Sequence, residues 1–412
     1  MVKNIISSFF SRAAVALINL CILLVVSRYM GSDRVGRISL LILNIAVVQS
    51  VVEIYTGATL IYFIARQHRL KIYFTGLVWI ILVTMACNAL LYGIRLVDGN
   101  MIMDVFFLSL MFSANAFHLV ILLGLEKIKV YNLLAFLQPF LLFLFLVWPV
   151  VFQGMRDFSF YLRALYLAIG FTLAISSLAV MWLFAGQKQT NGEFTPWEIF
   201  TNGLINQVAN LSHTLSNRLN YYLLGTAALV GVYANASSLI ESLWVISASI
   251  SPLLLTHVAN NHQSDRQGKL TLLLAKLSFL LSVCGVGCLI FLPNSVFIFL
   301  LGNDFAQTKL VMLCMSPGIL CISFSSILSH YFSGKGMQKI QLTANISGLV
   351  VTVISAWALI HQFGIYGACL AASLSYATQA LVLTRVFFKH HHFNRREIFG
   401  LFKDLALING RS

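Results

Sequence analysis

Gln207, Asn210, Thr214, Arg218 and Tyr221 follow one another at steps of three and four, so one helical face carries two amides, a hydroxyl, a guanidinium and a phenol. Asn206, His213, Asn217 and Asn220 lie alongside and widen that face, and Tyr222 adds a second phenol. No acid occurs in residues 199–240. The chemistry on offer is recognition rather than bond-breaking. A guanidinium meets phosphate or carboxylate oxygens in two places and stays protonated. Amides, hydroxyls and aromatic faces suit a hydroxyl-rich ligand. Two readings of Arg218 stay open: a cation awaiting an anionic ligand, or one partner of an ion pair with an acid on another helix.

Other ionisable groups stand in or at the ends of apolar stretches. Arg12 shares a face with Asn19, and Arg28 ends the same stretch. Gln49, Glu53 and Thr56 form one stripe, and Asn235, Ser238 and Glu241 form another. Counted from Gly36 and Gly231, the two acids fall on closely similar faces and are able to line one cavity. Glu53 and Glu241 have three uses open to them: pairing with the arginines, taking up a proton or sodium, or binding sugar hydroxyls. A charge deep in a membrane costs about 2.5–3.5 kcal/mol on insertion scales, so such residues mark function.

The elements that position these groups are spanning helices. Of the 412 residues, 59% are hydrophobic and 10% charged, against about 45–50% and about 25% for soluble domains. Mean hydropathy is +0.87. Apolar stretches long enough to cross about 30 Å of hydrocarbon follow one another with short links. Twelve are expected, at 5–29, 37–64, 72–95, 103–124, 131–152, 158–185, 199–225, 229–257, 270–292, 307–331, 339–361 and 364–388. The first begins after Lys3 and reads as a span, with no cleavable leader. None of the stretches alternates as a barrel strand would, so the expected class is all-α and polytopic.

Lys and Arg set the orientation. With the N-terminus inside, 17 fall in inner segments and 7 in outer ones, which are Arg28, Arg34, Arg37, Arg95, Arg156, Arg163 and Lys309. Both termini are therefore expected in the cytoplasm. The net charge of +14 comes mostly from this bias and from the basic tail, which suits anionic headgroups better than nucleic acid. The seven cysteines lie in apolar stretches without metal-ligand spacing, His118, His213 and His330 are scattered, and no nucleotide-binding loop occurs. No metal, no cofactor and no enzymatic activity are expected.

A faint repeat runs through the chain. "DRVGRISLL" (33–41) and "ALVGVYANA" (228–236) open the second and eighth helices, while "GLEKIKVYN" (124–132) and "GKGMQKIQLTAN" (334–345) link four to five and ten to eleven. An offset of six helices predicts two lobes of six around a central cavity, with 1–188 as one lobe, 189–388 as the other and 389–412 as a cytoplasmic tail. Transporters place their sites at such a repeat interface.

The strings "SRYMGSDRVGRISLL" (27–41), "GLEKIKVYN", "NQVANLSHTLSNRLNYYLLG" (206–225), "VGVYANASSLIESLW" (230–244), "LGNDFAQTKLVMLCMSPGIL" (301–320), "HYFSGKGMQK" (330–339) and "FGIYGACLAASLSY" (363–376) occur in an order that resembles the Wzx-type polysaccharide flippases of the multidrug/oligosaccharidyl-lipid/polysaccharide exporter (MOP) superfamily. The resemblance covers about 390 residues. It departs at Asn220, where the family often has an acid. It implies a flippase of the bacterial inner membrane that carries undecaprenyl-diphosphate-linked oligosaccharide to the periplasmic leaflet by alternating access, for O-antigen, capsule or exopolysaccharide. It also implies membrane lipids and a polysaccharide polymerase as neighbours. Arg218, Arg12 and Arg28 would then meet the diphosphate, with Gln207, Asn210, Thr214, Asn217, Asn220 and Tyr221 on the glycan. A multidrug or cation antiporter of the same superfamily is the nearest alternative, and a membrane-embedded polysaccharide-processing enzyme comes next.

Overall fold

The computed structural model describes residues 2–64, 69–97, 99–185, 196–244 and 264–391. The chain forms two compact units, Met1–Gln207 with Leu300–Gly302, and Val208–Phe299 with Asn303–Ser412. Every regular element described is a helix.

The first unit holds α1 (Val2–Met30), α2 (Ser32–Thr56), α3 (Leu60–Ile64), α4 (Arg69–Gly93), α5 (Ile102–Gly124), α6 (Ile128–Val147, prolonged by a π-turn over Trp148–Phe152) and α7 (Phe158–Ala185). In it α1 packs on α6, α2 on α4 and α5, and α7 on α5 and α6. α8 (Pro196–Arg218) carries the boundary between the units. The second unit continues with α9 (Asn220–Leu223), α10 (Ala227–Glu241), α11 (Ser264–Phe291), α12 (Asn294–Leu301), α13 (Thr308–Gly334), α14 (Gln338–Phe363) and α15 (Ile365–His390). There α13 packs on α10, α11 and α15, and α14 on α15. Ten helical segments among the described residues are long and apolar enough to cross a membrane. The seventh expected stretch, α8, is excluded from the ten by its polar face, and the eighth runs beyond the described residues after Trp244. The central loop 186–195 and the tail from His392 also lie outside them. The chain is an all-α, multi-pass membrane protein.

Two stretches read as continuous are broken. α2 stops at Thr56, and Gly57 starts a turn that leads into α3. The turn closes with Gly57 N–H on the Glu53 carbonyl at 2.9 Å. The Trp79 indole N–H donates to the Val52 carbonyl at 2.9 Å, and so does the Thr56 hydroxyl at 3.1 Å, so an acceptor beside the break is doubly served. A Cβ at Gly57 would collide with the Glu53 carbonyl and the Gln207 amide, which explains the glycine. α8 likewise ends at Arg218 rather than 225. The chain turns at Leu219 and resumes as α9.

The internal repeat is visible in the backbone. Six of the seven described residues with positive φ fall in matching links. Glu126 (58°) and Gly336 (73°) follow α5 and α13, Gly154 (67°) and Gly364 (56°) precede α7 and α15, and Arg95 (58°) and Gly302 (104°) precede α5 and α13. An interval of 210 residues separates Glu126 from Gly336 and Gly154 from Gly364. Hydrogen bonds agree as well. Lys127 N–H reaches the Leu122 carbonyl at 2.8 Å, and Met337 N–H reaches that of Phe332 at 2.9 Å. The same six-to-one closure thus caps both helices. Glycine takes this left-handed position at little cost, whereas glutamate does not. Replacing Glu126 by glycine, as in its counterpart, is expected to stabilise the protein by about 1 kcal/mol, read as a higher melting temperature in detergent. An unchanged or lowered value would show that the Glu126 side chain offsets the strain.

Candidate functional site

Arg218 closes the last turn of α8, and α10 brings Glu241 to it. The Arg218 Nη2 donates to Glu241 Oε2 in an ion pair. Nη1 donates to the Tyr221 hydroxyl and to Ser237 Oγ, each at 2.8 Å. The guanidinium carbon also lies 5.5 Å from the Tyr221 ring centroid. Tyr221 and Ser237 close the ring of contacts at 3.2 Å. The side chains of Arg218 and Glu241 keep only 25% and 15% exposure, and Glu241 Oε1 is buried with no hydrogen-bond partner among the described residues. Arg218 is thus a paired cation.

The break after Arg218 sends Asn220 away from it. Asn220 is fully buried, and its amide donates to the Tyr233 hydroxyl and to the Ala368 carbonyl, each at 3.0 Å. Tyr221 and Tyr233 meet edge to face at 5.8 Å. Further along α8, Asn217 contacts the His213 ring at 3.3 Å, Asn210 is exposed and Thr214 half-buried. From α14, Asn345 donates to the Ala209 carbonyl at 2.9 Å and Thr352 to that of Ser216 at 3.3 Å. The polar face of α8 is therefore divided. Part of it is spent on packing, while Asn210 is exposed and Thr214 half-buried.

In the first unit, Gln49 donates to Glu53 Oε1 at 3.0 Å, and Glu53 has no ion-pair partner among the described residues. Gln207 is buried, with its amide against Gly57 one turn after Glu53. α8 reaches this place through Gly203, whose missing Cβ admits the Ile54 carbonyl. Arg12 and Arg28 are both exposed on α1, and Arg12 has no carboxylate partner among the described residues.

Sequence reasoning did not single out Ser237 or Trp79. It chose Ser238 for the α10 stripe, which is exposed, whereas Ser237 lies one turn before Glu241 and completes the arginine's shell. The step of four from Ser237 to Glu241 was the available signal. His118 is buried between Ser176 Oγ at 3.0 Å and the Tyr73 hydroxyl at 3.2 Å, with both ring nitrogens engaged, as a packing histidine would be. Among the described residues no cluster of His, Cys, Asp or Glu has the makings of a metal site.

Solved structures share this architecture over nearly the whole chain. An inward-facing multidrug resistance MATE family transporter of the MOP superfamily aligns over 97% of this chain and 96% of its own, with a TM-score of 0.71 and 15% identity. The fold is like that of this transporter. The MATE multidrug transporter DinF-BH is also similar, with a TM-score of 0.67 and 13% identity, over 96% of this chain and 95% of its own. The lipid II flippase MurJ, in an inward closed conformation, aligns over 99% of this chain and 96% of its own, with a TM-score of 0.66 and 14% identity. No protein-family model and no curated relative matches the sequence.

Proposed function

We propose that the protein is a flippase for undecaprenyl-diphosphate-linked oligosaccharide, working by alternating access between its two units. We further assign 1–188 and 189–388 to the two moving lobes. One observation carries this reading. The deep acid of the second unit is already neutralised by Arg218, while Arg12 stands exposed on α1 without a carboxylate among the described residues. A cation to spare suits an anionic cargo, whose desolvated phosphates need compensating charge. Arg12 and Arg28 take the diphosphate first in this scheme. Arg218 joins only when Glu241 is neutralised by a proton, which ties release of the guanidinium to protonation. Asn210, exposed on α8, and Thr214 meet the glycan in this scheme, with Gln207, Asn217, Asn220 and Tyr221 holding the helices that frame it. No bond is made or broken, so no enzymatic step is assigned.

A second reading, antiport of a cationic compound, is favoured by Glu53, a half-buried carboxylate with Gln49 as its hydrogen-bond partner. One deletion strain separates the two. A flippase leaves lipid-linked oligosaccharide on the inner leaflet when deleted, and wild type clears it. Sensitivity to cationic dyes without that accumulation would overturn the flippase reading in favour of antiport. Complementation by Glu53→Gln refines the result. If Glu53 couples an ion, clearance by this variant in vesicles loses its dependence on the proton or sodium gradient; retained dependence leaves Glu53 as a charge-balancing residue.

A further inference from the structure

The turn between α1 and α2 gathers three guanidinium groups that neither the Arg218 cluster nor the face of α8 uses. Arg34 donates through Nη1 to the Met30 carbonyl at 3.0 Å, and its Nη2 lies 3.6 Å from the Asp157 carboxylate. Arg37 Nε lies 3.0 Å from Asp33. Arg156, next to Asp157 in the loop before α7, sits 5.6 Å from the Tyr29 ring centroid. Gly31, with φ at 81°, makes the tight turn that brings Tyr29, Met30 and Arg34 together. All three guanidinium groups therefore stand on one end of the first unit.

Both aspartates are weakly held. Asp157 keeps 80% exposure and Asp33 56%. Exposed pairs of this kind contribute about 0–1 kcal/mol, so a multiply charged oxyanion displaces them readily. The composition points the same way. The six cations of the expected outer segments in this unit, Arg28, Arg34, Arg37, Arg95, Arg156 and Arg163, are all arginine, while the inner segments mix in lysine. Arginine's fork matches phosphate geometry, whereas lysine acts as a point charge. Cations are also disfavoured in outer loops, so this group runs against the bias of its own chain.

We propose that Arg34, Arg37 and Arg156 form a receiving site for a lipid diphosphate at the expected outer end of the first unit. Three forks around one turn exceed what a singly charged phosphodiester headgroup calls for and match two adjacent phosphates. The inference rests on the cargo class proposed above and adds the place where the diphosphate is held after crossing.

The test is a photoreactive benzophenone-bearing prenyl diphosphate, crosslinked to the full-length protein in detergent and mapped by mass spectrometry. Label is expected on peptides containing residues 29–37 and 153–160. It should fall at least tenfold in Arg34→Gln/Arg37→Gln/Arg156→Gln, with unchanged melting temperature. Excess farnesyl diphosphate should compete, and phosphatidylglycerol should not. Label at these peptides that survives the triple substitution overturns the receiving site and leaves the cargo class standing. Equal competition by phosphatidylglycerol overturns the diphosphate source in favour of bulk anionic lipid. A wild-type protein that takes no label anywhere overturns both the site and the cargo class. Should the triple variant fail to fold, each single glutamine variant is expected to lose about threefold, and wild-type labelling in all three overturns the proposal.

Discussion

Replacing Glu241 by alanine is expected to destabilise the protein by about 3–5 kcal/mol, because it leaves Arg218 buried without its counter-ion. Arg218→Ala should cost a similar amount by orphaning Glu241, whose Oε1 already lacks a hydrogen-bond partner among the described residues. The double variant Arg218→Met/Glu241→Leu should recover most of the loss, since a well-packed apolar pair removes both desolvation costs at once. Melting temperatures of wild type, Arg218→Met, Glu241→Leu and the double variant in one detergent complete the cycle. If the two single losses simply add in the double variant, the groups are not coupled and the ion pair is not what holds α8 to α10. Arg218→Lys should fall between wild type and alanine, as it keeps the charge but loses the fork shared by Glu241, Tyr221 and Ser237.

The second large effect belongs to Gly203. Any side chain there would drive its Cβ into the Ile54 carbonyl, and that oxygen is backbone in the turn before the Gly57 break. Overpacking a core costs about 1–3 kcal/mol when side chains give way. A backbone atom gives way less, so Gly203→Val should exceed that range and leave little folded protein in membranes. Gly287 in α11 is the control, with nothing within 4 Å of the position its Cβ would take. Gly287→Ala should be neutral or stabilising by up to about 1 kcal/mol. Equal melting temperatures for Gly203→Ala and wild type would show that α2 and α8 do not approach as closely as described.

What the sequence discloses divides along a physical line. Spans are legible because lipid imposes length and apolarity residue by residue, and the stretch 103–124 matches α5 within a residue at its start. The breaks at Gly57 and Leu219 are not. A glycine in a helical pattern costs only about 1 kcal/mol and is tolerated elsewhere in this chain. The Gln207 side chain, which comes close to Gly57, is 150 residues away in sequence. Asn220 shows the same limit. Helical spacing sets it beside Arg218, but its partners include Ala368, and nothing near residue 220 encodes that contact. The pairing of an arginine with a deep acid was among the open readings because both residue types stood in apolar stretches. Which acid, and through which hydroxyl, depended on where α8 ends. The repeat lies between these cases. Its strings are faint, yet the left-handed residues of the links recur because a helix end needs the same turn wherever it occurs.

The Arg218–Glu241 pair also has an electrical meaning. Moving one elementary charge through the full membrane field costs or yields about 2.3 kcal/mol per 100 mV. A cation and an anion bound to each other and moving together exchange almost none of that energy, so this pair is close to silent to voltage while the protein is empty. The potential then acts chiefly on the exposed cations of α1 and on whatever the protein carries. Under the flippase reading proposed above, with a negatively charged cargo leaving a cell whose interior is negative, the driving force would fall on the loaded step and the paired helices would reset without electrical work.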